Sequence, residues 1–338
     1  MEQVKTDIII IGAGPVGLFA VFEAGLLKMR CHLVDALPQP GGQLSEIYPK
    51  KPIYDIPGYP SILAGELVNN LMKQIEPFNP SFTLGERVES IEKTSEKEYM
   101  ATTNRGTRIS APVIIIAGGL GSFEPRKPPL DNLAEFEDRG VEYIVKDPQK
   151  FKDKRLVIAG GGDSALDWSI ELSGLASELT LVHRRDSFRG ALDSVEKVRA
   201  LASEGKINLI TKAQATGLIG NGRLEGVEIS TNDGESLEIA ADFFIPLFGL
   251  TPRLGPIANW GLEIKKNAIV VDTEDYSTNI DGIYAIGDIN TYPGKLKLIL
   301  CGFHEGTLAV QSAFKYIYPD QKLSFKYTTV TGIKGIDE

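Results

Sequence analysis

The sequence predicts an α/β protein of two domains, each a parallel sheet wrapped by helices, with the second domain inserted into the first. Three observations predict it. Asp7–Gly17, DIIIIGAGPVG, runs four isoleucines straight into a G-x-G-x-x-G, and such a run reads as a strand buried on both faces. The pattern returns at residues 154–165, KRLVIAGGGDSA, as strand, G-x-G-x-x-A and helix. A chain of 338 residues is also too long for one ordinary core and fits two domains.

Taken in order, the opening strand, tight turn and helix form a dinucleotide-binding unit. A pyrophosphate must lie against backbone N–H groups at a helix N-terminus, where any Cβ would hold it away, so Gly12, Gly14 and Gly17 point to that ligand. A second strand, Cys31–Val34, ends in Asp35, 23 positions after Gly12 (35 − 12). An acidic side chain there receives ribose hydroxyls. Pro38–Leu44 follows, too rich in Pro and Gly to be helix or strand, and the loop continues to Gly58. A loop of that length inside a domain is usually functional. Its Gln43 can bond a flavin or ribityl group, and Tyr48 can stack on a ring system. A helix is expected over 65–74, a half-buried strand from the period-2 alternation of 85–92, and a buried strand over 113–119.

The second copy allows a comparison inside one sequence. Its strand, Leu179–Val182, ends at His183, again 23 positions after the first glycine (183 − 160). Where the first copy has Asp35, the second has His183, then Arg184 and Arg185, with Arg189 beyond. A carboxylate repels a 2′-phosphate, whereas an arginine pair grips one. The first copy therefore reads as a site for an adenosine with a free 2′-hydroxyl and the second as an NADPH site, with His183 a structural neighbour. The strand within 242–252 should close the insertion. Beyond it, 278–289 reads as turn, strand and Gly-Asp, with Asp288 at a strand's C-terminal end and a helix from about Gly302. The tail carries Phe325, Tyr327, Thr328 and Thr329, which either fray or fold over the cofactor.

The formal net charge of −9 and pI near 5.1 argue against nucleic acid as the main partner. Two cysteines far apart, Cys31 and Cys301, supply neither a disulfide framework nor a CxxC, and no metal site is expected. No apolar run reaches about 18 residues. The first strand begins by residue 7 without a signal peptide, so the expectation is a cytoplasmic protein outside the membrane.

GxGPxG with its Pro15, the GGQ loop, GGGDSA followed by HRRDxFR, and the Gly-Asp at 287–288 together resemble the low-molecular-weight thioredoxin reductase architecture over nearly the whole chain. The redox CxxC of those enzymes is missing, and residues 140–147 read GVEYIVKD. With the GGQLSEIYP loop, residues 121–126 and the C-terminal extension, that absence resembles the thioredoxin-reductase-type ferredoxin–NADP+ reductases. The resemblance implies an FAD domain over 1–121 and 253–338, and an NADPH domain over 122–252. For FAD it implies Gly12, Gly14, Pro15, Gly17, Asp35, Gln43, Tyr48, Val88, Phe123, Asp288 and Thr329, with Tyr48 and Tyr327 as ring-stacking aromatics. For NADPH it gives Gly160, Gly162, Asp163, Ser164, Ala165, His183, Arg184, Arg185 and Arg189. It also implies a homodimer.

The expected chemistry is hydride transfer between NADPH and FAD, and single-electron transfer to or from ferredoxin. The cofactor carries it, so no side chain is expected as acid or base. A reductase of flavodoxin, free flavin or quinone is the second reading, and a redox-inert flavin-binding sensor the third. An intact second glycine motif with Arg184 and Arg185 argues against the sensor. An acidic ferredoxin needs a local basic patch. Lys50 with Lys51 and Arg126 with Lys127, which flank residues assigned to the flavin, are favoured over the run Lys146, Lys150, Lys152, Lys154 and Arg155, which reads as a solvated face.

Overall fold

The computed structural model describes residues 3–323 and 328–337, with only the backbone of 122–124, 250–252, 330 and 331. The chain divides into two compact units, Met1–Ser122 with Pro252–Glu338, and Phe123–Thr251.

In the first unit, Ile8–Ile11 lies at the centre of a five-stranded sheet. Cys31–Asp35 and then Ser81–Leu84 lie on one side, Val113–Ile116 and then Ile283–Ala285 on the other, all parallel. Ile8, Ile9 and Ile10 are fully buried, which is why this strand carries no alternation. The chain order reverses between Ile8–Ile11 and Val113–Ile116, and such a switch point is where open α/β sheets bind ligands. The helix Pro15–Leu26 leaves the central strand with proline in its first turn, a position that needs no N–H. A second sheet of four strands, Gln3–Lys5, Arg108–Ala111, Glu98–Thr103 and Val88–Ser95, belongs to the same unit.

The second unit repeats this topology with four parallel strands in the order Asn208–Thr211, Glu178–His183, Arg155–Ala159, Phe243–Pro246. An antiparallel meander, Ala213–Gly220, Leu224–Thr231 and Ser236–Ala240, completes it. Each unit has its own apolar core.

Several elements differ from expectation. Gln43–Glu46 is a short helix inside the Pro/Gly loop: Gly42, at φ 57°, makes the turn, and the next four residues contain no breaker. The strand expected over 113–119 stops at Ile116. The apolar stretch within 242–252 splits into Phe243–Pro246 and Leu250–Arg253, because Gly249 at φ +86° turns the backbone between them. The last long helix starts at Ile299 and ends at Ile317. No helix among the described residues is long and apolar enough to cross a membrane.

Candidate dinucleotide sites

Both glycine turns sit at their unit's switch point, held the same way. Gly12 has φ +112°, and a Cβ on it would lie 2.4 Å from the Ala117 carbonyl oxygen of the neighbouring strand's end. On Gly160 a Cβ would lie 2.7 Å from the Leu247 carbonyl oxygen and equally close to the Ala165 methyl. These first glycines are required by the fold. The middle ones are not: a side chain at Gly14 or Gly162 would project into space with no atom within 4 Å. Each precedes a helix, Pro15–Leu26 or Asp163–Leu172, whose first N–H groups have no intrahelical partner. That combination of open space and unused donors fits an anion.

In the first unit, Asp35 lies beside this turn. Its Oδ2 accepts the Ala13 N–H at 2.7 Å and its Oδ1 the Leu37 N–H at 2.9 Å, so each oxygen keeps lone-pair capacity for ribose hydroxyls. Burial pushes its carboxyl above the usual carboxylate range, against the pull of those two N–H bonds. The Glu86 N–H donates to the Asp35 carbonyl at 3.1 Å, so the segment leading into buried Val88 borders the same strand end. The Gly41 N–H donates to the Ala13 carbonyl at 2.8 Å, tying the GGQ loop to the glycine turn. The Gln43 amide nitrogen lies 3.6 Å from where a Cβ on Gly119 would sit. Tyr48 is part-buried, with Lys51 6.0 Å from its ring centroid. Its hydroxyl is pushed up by burial first and then by the charges of Asp288 and Asp55. The residues therefore fit a dinucleotide laid along the sheet's C-terminal edge from Asp35 across Gly14 to the Tyr48 and Asp288 side.

Asp288 lies in the 3-10 turn Gly287–Ile289 that follows Ile283–Ala285. Burial pushes its carboxyl up, Lys297 and Lys295 draw it back down, and Glu305 adds to the rise. Glu305, fully buried on the helix Ile299–Ile317, is the residue that sequence reasoning missed. Its Oε2 accepts the Gly287 N–H at 2.6 Å and Asn290 Nδ2 at 2.9 Å. Its Oε1 accepts the Tyr292 hydroxyl at 2.9 Å and pairs with Lys295. The available signal was one carboxylate among Gly302, Gly306, Ala309 and Ala313, a small-residue face that marks close packing. Gly302 carries that packing, since a Cβ there would lie 2.4 Å from Val16 and 3.3 Å from the Gly287 Cα.

In the second unit, the arginine-rich loop is tied back onto its glycine turn. The Arg189 N–H donates to the Gly161 carbonyl and the Ala191 N–H to Asp163 Oδ1, both at 2.8 Å. The His183 ring lies under Gly161, 2.1 Å from the place of a Cβ there, and stacks on Phe188 with centroids 5.0 Å apart. Burial lowers its pKa, and Arg184, Arg185 and Arg189 lower it further against the Ser187 carbonyl bond, so it is a neutral packing group. Asp163 and Ser164 are exposed in the first helical turn, and Ala165 is buried. Arg184, Arg185 and Arg189 are exposed, and among the described residues none of the three has an ion-pair partner. Beside them Asp186, Ser187, Phe188, Arg199, Leu209 and Thr211 line a cavity of about 590 Å³.

Two expected contacts fall outside what is described, and a third is not joined to these sites. Tyr327 lies outside the described residues, and the side chain of Phe123 is not described. Thr329 is exposed on Thr328–Thr331, with no described contact to the others. Further on, Asp337 pairs with Arg30 at 2.9 Å and the Ile336 N–H donates to the Pro77 carbonyl at 3.2 Å. Both partners precede parallel strands, so this end of the chain is fixed at the opposite edge of the sheet from the glycine turn.

Two dinucleotide-binding units with an acidic strand end in one and an arginine-rich strand end in the other define a two-nucleotide oxidoreductase. Residues 6–307 match the family model described as pyridine nucleotide-disulphide oxidoreductase. The chain is 65% identical over 339 residues to ferredoxin–NADP reductase 1 of Christiangramia forsetii, covering 99% of this chain and 96% of that protein. It is 52% identical to the ferredoxin–NADP reductase of Bradyrhizobium diazoefficiens, with 97% and 96% covered. Among solved structures it is similar to Lactococcus lactis thioredoxin reductase, with a TM-score of 0.79, 26% identity, and 93% and 99% of the two chains covered. The chain belongs to the ferredoxin–NADP reductase family within the pyridine nucleotide-disulphide oxidoreductases, and it is an oxidoreductase with FAD as cofactor and NADPH as its nucleotide substrate.

Proposed function

We propose that this enzyme moves electrons between NADPH and a small iron-sulfur protein of the ferredoxin type, as the names of its relatives say of them. The observation that carries the reading is the contrast between Asp35, part-buried with lone pairs to spare, and the exposed Arg184, Arg185 and Arg189, which have no ion-pair partner among the described residues. FAD belongs to the first unit on this reading and the NADPH 2′-phosphate to the second. When bound, FAD supplies the exchange between a two-electron hydride and single electrons.

The chain's own residues position and screen. Gly12, Gly14, Pro15 and Gly17 seat the pyrophosphate, Asp35 the adenosine ribose, Val88 the adenine side and Asp288 the ribityl chain. Gln43 and Tyr48 flank the ring system. In the second unit Gly160 and Gly162 seat the nicotinamide nucleotide's pyrophosphate at the helix starting with Asp163, Ser164 and Ala165.

For docking, Lys50 and Lys51 next to Tyr48, and Arg126 and Lys127 next to Phe123, are the favoured rim, because both pairs adjoin residues assigned to the flavin. Lys127 also pairs with Glu137 at 2.5 Å, and in the third set Lys150 pairs with Glu142 and Arg155 with Asp242 at 2.9 Å. Exposed Leu296, Leu298 and Leu300 support a homodimer, since clustered exposed leucines mark association surfaces, and light scattering tests it. A cytoplasmic setting and flavodoxin as an alternative partner belong to the same proposal.

NADPH-dependent reduction of cytochrome c, measured with and without added ferredoxin, tests the acceptor. The expected result is a strong, salt-sensitive dependence on ferredoxin. Equal rates in its absence would sink the reading.

A further inference from the structure

We propose that Glu305 is a positioning residue of the FAD site, holding the turn Gly287–Ile289 so that Asp288 faces the cofactor. The proposal rests on the placement of FAD against Asp288. Glu305 reaches the chain on both sides of that aspartate, through the Gly287 N–H at 2.6 Å before it, and through Asn290 Nδ2 and the Tyr292 hydroxyl, each at 2.9 Å, after it. The Lys295 ammonium completes the set. Four donors converge on one carboxylate, so the turn cannot shift without breaking several bonds together.

A neutral packing residue would hold a buried turn at less risk, because a buried ion pair rarely adds net stability over an apolar pair of similar volume. Both partners here are nearly or fully out of water, with side-chain exposures of 6% for Lys295 and 0% for Glu305. The arrangement also leaves Asn290 Oδ1 buried and without a hydrogen-bond partner, an expense that packing alone does not require. What the charge adds is geometry and field. The carboxylate accepts a short bond from the backbone N–H next to Asp288, and its counter-ion Lys295 lies, with Lys297, among the cations that act on the Asp288 carboxyl. Gly302, one turn earlier on the helix, lets Glu305 come that close.

The test compares Asp288→Ala with the double variant Glu305→Gln/Lys295→Met, which removes the pair together and leaves no lone buried charge. FAD affinity is read by titration of the apoproteins, melting temperature on the same samples, and visible flavin absorption after reconstitution. The expected result is FAD binding weaker by about 10- to 100-fold in both variants, the range that one lost charge-assisted hydrogen bond corresponds to. In the double variant that loss accompanies a melting temperature near wild type and a displaced flavin absorption band. Wild-type affinity and spectrum in the double variant, beside weak binding in Asp288→Ala, would show a purely structural pair and overturn the proposal alone. Wild-type affinity in Asp288→Ala would overturn the placement of FAD, and this proposal with it.

Discussion

Arg184 and Arg185 are exposed side chains without ion-pair partners among the described residues, so nothing inside the protein competes for them. Two charge-assisted hydrogen bonds to a 2′-phosphate, at roughly 1.5 to 3 kcal/mol each and partly screened by solvent, leave a preference for NADPH over NADH of roughly 2 to 4 kcal/mol. That is about 30- to 700-fold in kcat/KM. Steady-state kinetics of Arg184→Ala/Arg185→Ala should show most of this preference gone, and an unchanged ratio would place the phosphate elsewhere. Asp288 makes the opposite kind of prediction. Its carboxyl is held above the ordinary range chiefly by burial, so the folded state takes up its proton at a higher pH than the unfolded chain does. The stability associated with that group is present below the ordinary carboxylate range and is lost as pH rises through the folded value. The apoprotein of Asp288→Asn should therefore melt higher than wild type at neutral pH, by a margin that shrinks on acidification, while binding FAD less tightly. A margin that grows toward acid pH would contradict the assigned burial effect.

At the scale of the element, the pairing of Cys31–Asp35 with Ser81–Leu84 carries its own pH sensitivity. His32 is buried, with Nδ1 2.7 Å from Ser81 Oγ and Nε2 2.8 Å from Thr83 Oγ1. Burial lowers its pKa, so the fold holds it neutral while the unfolded chain protonates near the ordinary value of about 6.5. Stability is therefore complete above that value and falls as pH drops from it toward the folded pKa. Melting curves between pH 7 and pH 5 should show a steeper loss for wild type than for His32→Gln, whose overall stability is lower. Equal slopes would mean that the imidazole is already solvated. This strand pairing also marks where sequence is legible. Four β-branched residues ahead of glycines announce a buried strand, because burial on both faces leaves only that composition, and a spacing of 23 carries Asp35 and His183 to matching strand ends. Glu305 was not legible. Its partners Gly287, Asn290, Tyr292 and Lys295 precede it by 10 to 18 positions, and only the packing of Gly302 on Val16 brings them together. The helix Gln43–Glu46 was hidden for a related reason, since two glycines that break a helix can also start one when their φ values are positive.

For the whole molecule, membership of a disulphide oxidoreductase family contrasts with a chain whose two cysteines are both free. Cys31 is buried, and burial with the charge of Asp7 pushes its thiol far up. It is an inert hydrophobe rather than a nucleophile. Cys31→Ala/Cys301→Ala should keep NADPH-to-acceptor turnover within about twofold per FAD bound, with some lost stability from the Cys31 site. An FAD-loaded double variant without activity would restore a dithiol route.

The insertion of one unit into the other sets an order of events on the ribosome. The second unit is a continuous stretch, Phe123–Thr251, complete as soon as it has emerged. The first sheet has by then received Val113–Ile116 but lacks its neighbour Ile283–Ala285, 166 residues further on (positions 117 to 282). At about 5 to 20 residues per second that strand edge stays open for roughly 8 to 33 s, and an unpaired apolar edge invites pairing with other chains. A nascent chain that has emerged only as far as residues 252 to 282 therefore carries a finished nucleotide domain together with an unfinished one, a substrate for chaperones and proteases that the completed enzyme never is.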